Sequence, residues 1–303
     1  RNRRKHMLKF ILGFMIASSI WLMVILTKDY LRKKREGTLE KGSFIKLGLI
    51  GMLANFFDTL GIGSFAIETP FFKNLKIVDD VKLPGTLNVA NTIPTILEAI
   101  IFMTVIEVEP ITLICMLVAA VIGAVVGAEV VSKFEERTIQ ICMGIALIAV
   151  AGLMVAGQLK LFPVGGDAVG LTGIKLIIGI IGNFVFGALM TVGIGLYAPC
   201  MALVFALGMG PKVAFPIMMG SCAILMPFAS YKFIKNGAYS TKASMAIAIL
   251  GSIGVLIAAY IVKSLPLNIL KWVVVCVIIY TSAIMFKSAK ANKDFKSSIE
   301  EIV

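Results

Sequence analysis

Residues 61–66 read GIGSFA, and residues 193–199 read GIGLYAP. The second stretch lies in an apolar run from Leu171 to Leu207, where the only charge after Asp167 is Lys175. The first lies in similar surroundings. Both fit the loose pattern G-x-G-x-x-A. A dinucleotide-binding turn needs a strand before it, a helix after it and an acidic residue about 20 residues on, within a soluble βαβ unit. Neither stretch has that setting. A run as long as 171–207 exceeds the ~20 residues that span a bilayer, so it kinks or turns back inside the membrane. Glycine accepts the backbone angles of such a break, and Pro70 and Pro199 are read as reinforcing it. Non-helical backbone at membrane depth persists only where it is buried in protein or lines a cavity. A break also frees N–H groups at a half-helix N-terminus, which can hold an anion. Close glycine packing between helices is the competing reading.

Composition supports the membrane setting. The chain is 59% hydrophobic and 15% charged, with a mean hydropathy of +0.97. Soluble domains are about half apolar and about a quarter charged. Many apolar segments are long enough to cross a ~30 Å core, and alternating β-barrel segments are missing. The expectation is an all-α, multi-pass protein of the cell membrane. The net charge of +12 comes from short segments between spans, so no nucleic-acid partner is expected. The single histidine, His6, lies in the leading tail, and none of the five cysteines forms a CxxC pair. No metal, cofactor or disulfide framework is expected.

The apolar stretches after the first span fall into two similar groups. FIKLGLIGMLANF (44–56) resembles GIKLIIGIIGNFVF (173–186), with Asn55 answering Asn183. GIGSFAIE (61–68) answers GIGLYAPC (193–200), VANTIP (89–94) answers MMGSCA (218–223), and SKFEERT at 132–138 is placed like VKSLPLN at 262–268. The organisation read from this is an N-terminal span and basic loop (1–43), repeat 1 (44–157), repeat 2 (171–286) and a polar tail (287–303). If each glycine-broken element is a re-entrant hairpin, the 29 basic residues divide more unequally between the two sides than if each crosses once. The hairpin reading leaves three spanning helices per repeat, so the repeats are inverted. It puts the 28–46, 132–138 and 232–242 loops on the cytoplasmic side.

The order of these features carries a resemblance: GIG with a following proline, Asn91-Thr92, Gly123 and Gly127 before SKFEERT, then GIGLYAP, LGMGPKVAF, GSCA, YKFIKNGAYS and KSLPLNIL. Over about 44–286 the chain resembles the sulfite exporter TauE/SafE family of membrane transporters. The resemblance implies a two-repeat transporter of small sulfur-containing or organic anions such as sulfite and sulfonates. Ser64 and Leu196 stand where that family usually has a third glycine.

Asn88, Asn91, Thr92, Thr95 and Glu98 recur at spacings of three or four and form one helix face. Such a stripe faces protein or water rather than lipid, and it either lines the pathway or hydrogen-bonds helices together. The substrate-binding candidates are Gly61, Gly63, Asn91, Thr92, Gly193, Gly195, Gly220 and Ser221. Asp58 and Glu98 are the candidates for proton coupling, because a membrane-embedded acid is costly and invites a function. Glu129 is read as a helix-end ion pair with Lys133, Glu68 as an interfacial residue, and Lys212 as an anchor or anion attractor. Trp21, Tyr231 and Trp272 read as a membrane-interface belt. The leading function is a secondary transporter of a small anion, proton-linked, in a lipid bilayer, with a homodimer as an assembly the sequence allows. The alternative is a membrane-embedded sulfur-relay protein or enzyme using Cys200 and Cys222.

Overall fold

The computed structural model describes residues 2–105, 107–161, 166–193, 195–261 and 267–300. Its elements are helices: α1 Asn2–Arg35, α2 Phe44–Thr59, α3 Ser64–Asn74, α4 Leu83–Val105, α5 Pro110–Val131, α6 Glu136–Gln158, α7 Gly173–Met190, α8 Tyr197–Ala206, α9 Pro211–Lys235, α10 Thr241–Ile261 and α11 Leu267–Glu300. A 3₁₀ turn, Asp80–Lys82, precedes α4. Among the described residues, seven helices are long and apolar enough to cross a membrane: α1, α4, α5, α6, α7, α9 and α10. The chain is a multi-pass α-helical membrane protein. Two apolar stretches that read as long segments are divided. The first splits into α2 and α3, the second into α7 and α8. At 1.5 Å per residue, α3 and α8 are roughly 15 Å long, about half a hydrocarbon core.

Glycine makes the first break. Gly61 and Gly63 have φ of +89° and +97°, and no neighbour lies within 4 Å of where a Cβ would stand. They are there for backbone angle, not for packing. Other glycines do the packing. A Cβ on Gly187 would stand 2.2 Å from the Ala120 carbonyl oxygen, and one on Gly254 the same distance from that of Met52. These let α7 close on α5 and α10 close on α2, as small residues do between membrane helices. The prolines take no part in the breaks. Pro70 lies inside α3, which runs on to Asn74. Pro199 lies in the first turn of α8, where its missing N–H is one the helix leaves unpaired in any case.

The packing order is exchanged between the two halves of the chain. α2 packs on α10, and α7 packs on α5. α4 packs on α9 and α6 on α11; α5 also contacts α9, as α10 contacts α4. Each contact of a first-half helix with a second-half helix thus has a counterpart with the roles reversed. α1 lies outside this scheme, against α4, α9 and α10. Its Trp21 packs on Tyr231, ring centroids 5.2 Å apart, and both rings are partly exposed. α1 is also longer than its apolar run, and α11 continues as helix through the polar tail to Glu300. Asn292 of that tail donates to Gln140 Oε1 on α6 at 3.0 Å.

Helix ends are tied in two separate sets. In the first, the Thr241 N–H donates to Glu40 Oε1 (2.9 Å), the Ser240 N–H to Thr86 Oγ1 (2.9 Å), Asn236 to Ser132 Oγ (2.6 Å) and Gln140 to Asp80 Oδ2 (2.7 Å). Asp80 also pairs with Lys73 of α3. In the second, the Glu109 N–H donates to the Val169 carbonyl (2.8 Å), the Leu171 N–H to Thr112 Oγ1 (2.7 Å) and the Gly210 N–H to the Ala168 carbonyl (3.1 Å). Both ends of the α2–α3 element meet the first set, and both ends of α7–α8 meet the second. Glu109 caps α5, accepting from the Ile111 and Thr112 N–H groups. Partial burial pushes its pKa up, but these backbone donors outweigh it and hold the carboxyl below its usual range.

Candidate functional site

The two breaks meet. A cavity of about 40 Å³ is lined from the first by Asp58, Ile62, Gly63 and Ser64, and from the second by Met190, Gly193, Gly195, Leu196 and Tyr197. Thr95 of α4 and Cys222 of α9 close it, with Leu147, Val150 and Met154 of α6 forming an apolar wall. No lysine or arginine lines it among the described residues.

The first break carries its own carboxyl group. Asp58, at the end of α2, reaches across the turn to the start of α3. Its Oδ1 accepts the Ser64 N–H at 2.9 Å and its Oδ2 the Ser64 hydroxyl at 3.0 Å. A carboxylate here meets the positive end of the helix and one of its unpaired N–H groups. The second break has no such group. Met190 precedes Gly193 by the same three positions as Asp58 precedes Gly61, and no side chain caps α8.

One hydrogen-bonded chain links the first half to this cavity. Glu68 Oε2 accepts from Asn91 Nδ2 at 2.7 Å, and Asn91 Oδ1 accepts from Asn55 Nδ2 at 2.7 Å. Thr59 Oγ1 lies 2.8 Å from both the Asn55 carbonyl oxygen and Glu98 Oε1. Tyr197 donates its hydroxyl to Glu98 Oε2 at 2.9 Å. Glu98 therefore bridges the two breaks, through Thr59 on one side and Tyr197 on the other. Glu68, read from the sequence as interfacial, is instead fully buried. It lies one turn into α3, where every residue from Ser64 to Pro70 is buried, in a helix too short to show periodicity.

The polar stripe of α4 divides. Thr95 reaches the cavity. Asn91 serves the chain just described, and Thr92 pairs with Ser230 of α9 at 2.9 Å. Asn88 donates to the Pro84 carbonyl oxygen at 2.9 Å. In the second half, Asn183 donates to Ser221 Oγ at 2.8 Å and to the Met116 carbonyl oxygen at 2.7 Å. Gly220 packs against Met103 and Leu117. Of the sequence candidates, Asp58, Gly63, Gly193 and Gly195 line the cavity; Gly61 lies in the same turn. Asn91, Thr92, Gly220 and Ser221 do not line it, and Glu98 meets it through Tyr197. Tyr197 and Thr59 were not singled out. The matched threonines, Thr59 and Thr191, one position after Asp58 and Met190, were the available signal.

Glu129 pairs with Lys133 at 2.5 Å, as its spacing suggests, and also with Lys232 of α9 at 2.9 Å. Cys200 and Cys222 are free, buried thiols. Only Cys222 lines the cavity, its Sγ 3.7 Å from Met190 Sδ. The side chain of Lys212 lies outside the described residues.

These features belong to a transporter architecture: broken helices meeting at a cavity within a bundle of spans. The family model described as "Sulfite exporter TauE/SafE" matches residues 3–154 and 175–301, so the chain belongs to the sulfite exporter TauE/SafE family of membrane transporters. The match takes in the first span and the tail as well as the two similar halves. No curated protein and no solved structure matches the chain.

Proposed function

We propose that this protein is a secondary transporter that moves a small anion, sulfite, a sulfonate or a similar organic acid, by proton-linked alternating access of two inverted repeats. The observation that carries this reading is that both glycine breaks line one cavity. The inversion is supported by the helix-end hydrogen bonds, since the two hairpins attach to opposite sets. The anion is placed at the second break, where the α8 N-terminus carries no internal carboxylate. Asn91, Thr92, Gly220 and Ser221 hold the helices that frame this site, and Gly61, Gly63, Gly193 and Gly195 shape it.

Proton linkage is placed at Glu98. Thr59 has one hydroxyl proton and two acceptors at 2.8 Å, so both contacts are hydrogen bonds when Glu98 brings a proton of its own. Asp58 is assigned instead to the α3 cap, where both its oxygens accept. The reading is tested by flux into proteoliposomes with sulfite, alkyl sulfonates and short carboxylates at several pH values. Uptake of at least one of these, saturable and sensitive to a pH gradient, supports it. Absence of flux for every anion tested overturns it.

A further inference from the structure

Three buried acids stand in the first half, and no ion pair to any of them exists among the described residues. They differ in how their oxygens are met. Both oxygens of Asp58 accept from Ser64, and both oxygens of Glu98 contact hydroxyl groups. Glu68 has one partner, Asn91, on Oε2; its Oε1 is buried with no hydrogen-bond partner. The side chain is wholly inaccessible. A buried carboxylate with an unmet oxygen and no cation is among the costliest arrangements a protein interior can hold. The same network has a second surplus acceptor, Asn55 Oδ1. A proton on Glu68 removes the charge and makes its Oε1 a donor, while Asn55 Oδ1 stays an acceptor.

We infer that Glu68 is a second proton-binding group of this transporter, separate from the anion cavity and joined to it by the Asn91–Asn55–Thr59–Glu98 chain. This rests on the transporter reading above. Glu68 does not line the cavity, so its proton and the anion occupy different places. α3 packs against α2, α4 and α11. Among the described side chains, the titratable or charged groups on those elements are Lys46 and Asp58 on α2, Glu98 on α4, and Cys276, Tyr280, Lys287, Lys290 and Lys293 on α11; α11 also carries Lys271, Asp294, Lys296 and Glu300. Glu68 shares α3 with Lys73, which is engaged by Asp80. Ionisation of Glu68 puts a negative charge in a buried region that also holds the carboxyls of Asp58 and Glu98, and movement of α3 off α4 would expose the group to water. The proton is thereby bound in one arrangement of the hairpin and released in another. In the second half the aligned position is Cys200, so the device occurs once.

Two measurements on the full-length protein test this. Infrared difference spectra of wild type against Glu68→Gln, at neutral pH in lipid, are expected to show loss of one protonated-carboxyl C=O band, which Asp58→Asn retains. An unchanged carboxylic-acid region in Glu68→Gln overturns the inference, even if that variant no longer transports. In proteoliposomes, Glu68→Gln is expected to move one proton fewer per anion than wild type. A one-unit pH step then drives about tenfold less accumulation, one decade per proton lost. Unaltered stoichiometry, or a Glu68-dependent flux that follows a sodium gradient at fixed pH, also overturns it. If wild type moves no anion at all, the transporter reading fails, while the infrared result still decides whether Glu68 holds a proton.

Discussion

The two hairpins share a turn and differ in what the turn contains. The first reads DTLGIGS and the second MTVGIGL. Threonine and both glycines are kept. Aspartate and serine at the first break become methionine and leucine at the second. The consequence is local and electrostatic. At the first break the Asp58 carboxyl already takes the Ser64 N–H at the start of α3, whereas at the second no side chain caps α8. One turn later the same contrast repeats, Glu68 against Cys200. The two breaks thus carry different chemistry: the first half holds the buried acids, and the second break has none.

Making the halves alike is the most direct way to break this contrast. Met190→Asp copies the first cap into the second break. It is expected to lower anion flux at least about 100-fold, since a charge at that helix end competes with the substrate for the same donors. Met190→Asn, uncharged and of similar size to aspartate, is the control that keeps substantial flux. The next test separates the glycines. Gly61→Ala, at φ +89°, is expected to destabilise by roughly 1–2 kcal/mol, while Gly195→Ala, with no left-handed φ and no close neighbour, is expected to be nearly neutral. Thermal unfolding in detergent measures both.

Smaller effects follow from single hydrogen bonds. Tyr197→Phe removes the donor to Glu98 Oε2 and is expected to cost about 1–2 kcal/mol, with a shifted pH dependence of flux. Glu109→Gln weakens the α5 cap by about 1 kcal/mol or less, because an amide still offers one acceptor. The sign with pH is definite. The folded Glu109 carboxyl titrates below its unfolded value, so its contribution is present above the unfolded pKa. That contribution is lost as pH falls through the folded one. Stability of wild type relative to Glu109→Gln, followed from neutral to acid pH, checks it.

Much of this was legible in the sequence. The glycine breaks and the Glu129–Lys133 pair rest on spacing, which a sequence displays, and the family was recognised from the order of its motifs. Glu68 was misread because it follows an apolar run and precedes a lysine-bearing end, which is also how an interfacial acid looks. Its burial depends on α3 stopping short and folding back against α4, a tertiary event. The α4 stripe was seen as one face, but whether a side chain on it meets a cavity or another helix depends on the neighbour at each level. Thr95 meets the cavity, whereas Thr92 meets Ser230. The prolines were credited with breaks that the glycines make alone, since a proline's proximity in sequence says nothing of which turn it enters.

The exchange of partners between halves governs how the molecule is made. α2 emerges early in synthesis, yet the face that receives it belongs to α10, which follows roughly 200 residues later, so the contact is of very long range. Until then the first hairpin rests mainly on its contacts with α4. The longer helix of each hairpin packs chiefly on the other half, α2 on α10 and α7 on α5. A chain truncated before α10 is therefore expected to lack the main packing face of α2.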